Sequence, residues 1–147
     1  MNQGHFITFG LIGRRVRRYL CVMNSDQTAV ILKRFEAPDE VRVLEKARFE
    51  LVHLGGITIG RATYEPGWKW SEHVGPRVGA SRCRVEHVGL VLSGTATAAF
   101  DDGRIFELRA GELFYIPPVP HDSWVVGELP YVSLHFLGAE QYATPNS

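Results

Sequence analysis

Short apolar and β-branched runs, separated by turn residues, repeat along the chain from about residue 28 onward. Such runs predict β-strands, and no periodic helix of useful length interrupts the series. Many short strands at this spacing predict an all-β domain, either a sandwich, a jelly roll or a small barrel. The predicted strands are Thr28–Phe35, Phe49–Leu54, Ile57–Tyr64, Val85–Leu92, Thr95–Phe100, Arg104–Leu108, Glu112–Ile116, Ser123–Val126 and Tyr131–Leu137.

Glycine-containing turns separate these runs. Gly55-Gly56 joins two of the early strands, Ser93-Gly94 follows a later one, and Asp101-Asp102-Gly103 follows the next. Asp-Gly is a strong hairpin signal because both central residues of a type I′ turn need a positive φ. The turn chemistry therefore agrees with the strand pattern and indicates antiparallel hairpins.

The composition of the chain is that of one ordinary globular domain. Its 147 residues are 45% hydrophobic and 22% charged, and at this length one core needs no disulfide or metal support. No apolar run reaches the 18 residues of a membrane span, and two cysteines, Cys21 and Cys83, are too few for a disulfide scaffold. We therefore expect a cytoplasmic protein with no membrane partner.

Charge divides the chain into two parts. Residues 1–22 hold four arginines and no acidic group, whereas residues 23–147 hold 12 basic and 16 acidic groups. An acidic body argues against nucleic acid as a partner. The pattern predicts a basic N-terminal arm over 1–22, either disordered or an upstream extension of a chain that starts at Met23, followed by one domain over 23–147.

Glycine and histidine or proline recur at fixed spacings in two stretches of the chain. In the first, Gly67 precedes His73 by six positions, and His87 precedes Gly94 by seven. In the second, Gly111–Pro118 is followed by the Pro-His turn at Pro120–Trp124. These stretches resemble the motifs of the cupin superfamily, in particular its small bacterial single-domain members, over about residues 56 to 138. The resemblance implies a single-domain cupin jelly-roll β-barrel that pairs as a homodimer through an N-terminal strand such as Thr28–Phe35.

The chain also departs from the cupin motifs. His87 stands where cupins have glutamate, and the second histidine of the His-x-His pair falls on Gly75 or Cys83, depending on the direction of counting. An insertion over residues 75–82 would separate the two halves of the motif, so that counting forward and counting backward reach different residues. Strict counting puts the last ligand at Asp122, whereas aligning the Pro-His dipeptide selects His121, which we prefer because imidazole is the commoner transition-metal ligand.

The resemblance implies that the barrel gathers His73, His87 and His121 at its mouth as ligands of one divalent transition metal: zinc, iron, nickel or copper. Cys83 is a further ligand or a packing residue, and Asp122 is the alternative ligand. Arg82 and Arg84 beside the thiol would favour its thiolate form. His53 and His135 are interpreted as structural. The nearby tryptophans, which could wall a pocket for a small molecule, are Trp68, Trp70 and Trp124.

Two functions follow from such a site. The first is a metal-dependent enzyme of the dioxygenase or isomerase type that acts on a small organic molecule, with Glu72 and Asp122 as the nearest candidates for an acid or base. The second is a non-catalytic protein that binds a small ligand or senses a metal in the same cavity. Cupin barrels host both functions, so the fold does not choose between them.

Overall fold

The computed structural model describes residues 30–144, so the predicted arm and Cys21 lie outside the described residues. Alternating burial and turn glycines produce nine strands and two one-turn helices in this part of the chain. The strands are β1 (Glu40–Leu44), β2 (Ala47–Leu54), β3 (Ile57–Tyr64), β4 (His87–Ser93), β5 (Thr95–Phe100), β6 (Ile105–Arg109), β7 (Leu113–Ile116), β8 (His121–Asp122) and β9 (Tyr131–Leu137), and the helices are α1 (Trp70–His73) and α2 (Gly75–Val78).

The strands form two antiparallel sheets that share one hydrophobic core. The larger sheet has the order β1-β2-β3-β9-β4-β7, and the smaller has the order β6-β5-β8. Strands β6 and β7 follow each other in sequence, yet each is the edge of a different sheet. The all-β jelly-roll prediction is confirmed, and the chain crosses from one sheet to the other between β6 and β7.

Period-two alternation places the interior residues of β4 and β9 side by side. On β4, His87, Gly89 and Val91 are buried and the residues between them are less so; on β9, Tyr131, Ser133 and His135 alternate in the same way. Gly89 pairs with His135 across the two strands. The pleat therefore directs two histidines, one from each strand, into the interior.

Gly89 keeps this part of the interior closely packed. A Cβ atom at this position would lie 2.3 Å from the carbonyl oxygen of Leu134 and 2.4 Å from Cζ of Phe114. Both distances are far below van der Waals contact, and the first involves backbone that is fixed by the sheet. Glycine is thus required here by the close approach of β9 and of the Phe114 ring.

The structure corrects the predicted first strand, Thr28–Phe35. Residues 30–34 have no regular secondary structure and Phe35 lies in a turn. Arg61 on β3 contacts this segment, with its guanidinium 5.0 Å from the centre of the Phe35 ring and a hydrogen bond of 3.3 Å to the Phe35 carbonyl. The described part of the run is therefore irregular chain with exposed side chains at Val30, Ile31 and Leu32, and a homodimer through it stays a prediction without a described strand to support it.

Two other elements differ from the sequence prediction. No strand is predicted between Phe35 and Phe49, whereas β1 occupies Glu40–Leu44 and pairs with β2. Within the predicted strand Ser123–Val126 only Trp124 and Val125 form isolated bridges, and the strand of this region is the two-residue β8, which precedes it. Within residues 30–144, no helix is long and apolar enough to cross a membrane.

Candidate metal centre

Cys83, His87 and His121 come together in the interior at the start of two strands. His87 begins β4 and His121 begins β8, while Cys83 lies just before β4. Cys83 and His121 form an antiparallel bridge with two backbone hydrogen bonds, 2.9 and 3.0 Å long. One ligand atom from each of the three side chains lies within 4.8 Å of the other two, and all three residues are buried. This buried cluster could hold a metal ion.

Backbone contacts fix the orientation of His121. Its Nδ1 lies 2.8 Å from the carbonyl oxygen of Val119, and since a carbonyl only accepts, Nδ1 carries the proton and donates. That bond leaves the lone pair of Nε2 free for a metal. In His87, Nε2 lies 3.5 Å from Sγ of Cys83. The geometry therefore presents Nε2 of both histidines and the sulfur as the ligand atoms.

Burial keeps all three side chains uncharged in the absence of a cation. It lowers the pKa of His87 well below its ordinary value and also lowers that of His121. Burial raises the pKa of the Cys83 thiol to about 11. Neutral imidazole is the form that ligates a metal, and a bound cation would deprotonate the thiol by direct charge stabilisation.

The prediction that neighbouring arginines favour the Cys83 thiolate is wrong, because burial raises the pKa of the thiol and neither arginine is among the groups that lower it. Arg82 directs its guanidinium away, to a 2.7 Å ion pair with Asp101, and Arg84 is exposed. In an extended segment, alternate side chains point to opposite sides, so flanking charges do not reach a buried residue.

The structure does not bring His73 to the cluster. This residue ends α1, where its Nδ1 lies 2.9 Å from the carbonyl oxygen of Lys69 and 3.0 Å from the Lys69 amide nitrogen. The motif spacing implied that His73 lies at the barrel mouth, but the chain around it folds into α1 and α2. The short helices turn His73 into local backbone contacts.

His53 is likewise separate from the cluster. It lies exposed on β2, and its Nδ1 is 2.9 Å from Oγ1 of Thr58. Its interpretation as a structural residue agrees with this contact.

His135 was interpreted as structural, but it lines the same cavity as the cluster. Its ring centre lies 5.5 Å from that of His87, and its Nε2 is 3.0 Å from Oγ of Ser133. Burial lowers its pKa to about 4. The available signal was its position on the last strand, between Leu134 and Phe136, where alternation points it inward.

Asp122, the alternative ligand, is used elsewhere. Its carboxylate accepts hydrogen bonds from the Ser71 amide at 3.0 Å, the Ser71 hydroxyl at 2.8 Å and the Ser123 amide at 2.9 Å. Since Asp122 follows His121 in β8, the two side chains point to opposite sides of the strand. Asp122 thereby fixes the start of α1 to β8 and is absent from the cluster of candidate ligands.

Replacement of Asp122 by asparagine tests this division of roles. We expect the Asp122→Asn protein to lose about 1 to 3 kcal/mol of unfolding free energy, because hydrogen bonds to a charged acceptor are weakened, while metal stoichiometry stays that of the wild type. Urea denaturation and elemental analysis of the same samples measure the two effects. Loss of metal with unchanged stability would identify Asp122 as a ligand.

Aromatic and aliphatic side chains enclose a small cavity beside the cluster. The space open to the centre of a water molecule is about 40 Å³, which is room for about three waters at 10 to 15 Å³ each. Trp68 and Trp70 line this cavity, as predicted for a pocket, whereas Trp124 lies in a separate surface groove beside Lys69 and Glu72. Thiol and imidazole ligands beside a small cavity are suitable for a metal ion that keeps open coordination positions.

Comparison with known proteins shows the fold alone. No family model matches the chain, and no curated protein matches it. Among solved structures, a protein of unknown function (DUF1255) from Acidithiobacillus ferrooxidans is 21% identical, with a TM-score of 0.50 over 76% of this chain and 97% of that one.

Two further solved structures have lower TM-scores. A structural genomics protein of unknown function from Rhizobium leguminosarum is 24% identical, with a TM-score of 0.47 over 61% of this chain and 78% of that one. A cupin-like protein from Thermotoga maritima is 14% identical, with a TM-score of 0.47 over 67% of this chain and 72% of that one. The structure confirms the predicted jelly-roll fold, and these comparisons assign no activity to the chain.

Proposed function

We propose that this cupin-fold protein binds one divalent transition metal through Sγ of Cys83 and Nε2 of His87 and His121, and uses it to bind or transform a small organic molecule. The observation that carries the proposal is the convergence of three buried ligand atoms within 4.8 Å. The proposed set keeps Cys83 and omits His73, which has local backbone contacts, and Asp122, whose carboxylate accepts three hydrogen bonds elsewhere.

The donor chemistry selects the class of metal. Thiolate and imidazole together favour zinc, iron, nickel or copper over calcium or magnesium, which prefer oxygen. Three protein ligands leave coordination positions open, and a metal held in this way supplies Lewis-acid chemistry to a bound molecule. The Val119 carbonyl fixes the tautomer of His121, and the aromatic wall excludes bulk water from the cavity.

A catalytic role would need an acid or base, and the two predicted carboxylates do not supply one. Asp122 is occupied by Ser71 and Ser123, and Glu72 is an exposed side chain in an ion pair of 3.2 Å with Lys69. His135, which lines the cavity, is the titratable group placed to exchange a proton with a bound molecule. Without such a role for His135, the alternative is a non-catalytic ligand or metal sensor.

Cobalt substitution tests the metal site, because Co²⁺ occupies zinc sites and a bound thiolate gives it an intense near-ultraviolet charge-transfer band. We expect one equivalent of Co²⁺ to produce this band in the wild type. Cys83→Ser should retain weaker cobalt binding without the band, since one ligand of three is changed from sulfur to oxygen. No band in the wild type, or the same band in Cys83→Ser, would contradict the proposed ligand set.

A further inference from the structure

An apolar groove, which we call the seam, opens between the edge strands β6 and β7. Residues 110–112 join these strands, but β6 pairs with β5 and β7 pairs with β4. Phe106 and Leu108 of β6 and Ile116 of β7 line the seam. The space open to the centre of a water molecule is about 250 Å³ there, several times that of the histidine cavity. The divergence of the two sheets therefore leaves room for a group the size of a ring.

The seam and the histidine cavity share two walls. Leu108 and Ile116 line both spaces. Phe100 also connects them, because its ring centre lies 6.0 Å from that of His121 and 6.1 Å from that of Phe106. A molecule lying in the seam would thus touch the side chains that border the candidate metal ligands.

The two spaces differ in size and in chemistry. The cavity has room for about three waters, too little for an aromatic ring. Trp68 and Trp70 line it, and their indole N–H groups are buried and have no hydrogen-bond partner among the described residues. Buried donors of this kind favour an oxygen acceptor in the cavity.

The seam favours an uncharged group. Phe106 is 50% exposed there although it is large and apolar. Arg104 lies 5.2 Å above the Phe100 ring, but its charge is balanced by an ion pair of 2.7 Å with Asp102. Aromatic side chains arranged edge to face accept a further ring.

We propose that the site takes a molecule with a small oxygen-bearing head and an apolar, ring-sized body, with the head in the histidine cavity and the body in the seam. This inference rests on the proposed metal site and specifies its ligand class. Phe106 then determines specificity, because it contacts the body and lies outside the cavity that holds the head.

Two hydroxamates with the same head test the proposal on metal-loaded protein. Acetohydroxamate carries the head alone, and benzohydroxamate adds a phenyl ring. We expect calorimetry to show benzohydroxamate binding at least about 10-fold more tightly to the wild type. Phe106→Ala should weaken benzohydroxamate about 3- to 10-fold, the worth of one aromatic contact, and leave acetohydroxamate unchanged.

Ile105→Ala is the matched control, because Ile105 is the preceding residue of β6, is 57% exposed and does not line the seam. Equal affinity of the wild type for both hydroxamates, or equal losses in Phe106→Ala and Ile105→Ala, would overturn the ligand class and leave the metal site standing. A wild type that takes up no metal would overturn both proposals. If light scattering gives Phe106→Ala a lower molecular mass than the wild type, the seam is instead an interface between copies of this chain.

Discussion

Replacing His87 with alanine is expected to lower the affinity for Zn²⁺ at least about 100-fold. One of three protein ligands is lost, and metal binding at such sites is worth several kcal/mol per ligand, or about two to three powers of ten. The neighbouring Sγ of Cys83, 3.5 Å from the His87 ring, cannot compensate alone. Competition with a zinc-binding dye at pH 7.5 measures the affinity of each variant.

His53→Ala and His73→Ala are the controls for this experiment. Both histidines form hydrogen bonds outside the cluster, to Thr58 and to the Lys69 backbone. Their removal should leave zinc affinity within about threefold of the wild type. If His73→Ala loses as much affinity as His87→Ala, then the ligand set implied by the sequence motif holds and the set built from the geometry is wrong.

The parts of the fold that follow local rules could be predicted from the sequence. Strands such as Ile57–Tyr64 and Tyr131–Leu137 match their predicted bounds, because apolar alternation and flanking turn residues act within a few residues. The run at Thr28–Phe35 misled the prediction, since its described part packs through a long-range contact with Arg61. A contact between residues so far apart in the sequence cannot be predicted from local strand propensity.

The candidate site was predicted only in part, again because some of its contacts join residues that are distant along the chain. Motif spacing located His87 and His121, which begin strands that pair in fixed registers. His73 was misplaced because spacing does not show whether a segment is helical: His73 ends α1, just before the predicted insertion over 75–82, and α2 lies within that insertion. Backward counting from His87 also indicated Cys83, but its bridge to His121, 38 positions further along the chain, is a feature of the folded sheet that spacing does not show.

His135 shows that a residue outside every motif can still belong to a site. No family spacing includes it, yet its register opposite Gly89 and its ring contact with His87 place it in the cavity. Alternation on β9 indicated an inward position. What alternation could not show is which strand lies opposite, and that pairing decides whether an inward histidine meets other histidines or only apolar side chains.

The metal-free protein is expected to lose stability as the pH falls from about 6.5 to 4. An unfolded histidine titrates near 6.5, whereas burial lowers the pKa of His135 to about 4 in the folded state. Between these values the unfolded chain binds the proton and the folded protein does not, so acid favours unfolding. Lowering the pKa of His135 from 6.5 to about 4 corresponds to about 3 kcal/mol of unfolding free energy, at 1.36 kcal/mol per pH unit. The full stability is present above pH 6.5.

Urea denaturation in the presence of a chelator, at half-unit steps from pH 7.5 to 4.5, measures this loss. His87 and His121 add to the slope, because burial lowers their pKa as well. His135→Phe, which keeps a ring between Phe49 and Phe114, should flatten the slope by about 1.4 kcal/mol per pH unit near pH 5. An equal slope in His135→Phe and the wild type would show that His135 is protonated in the fold, and that the cavity is far more polar than its aromatic walls indicate.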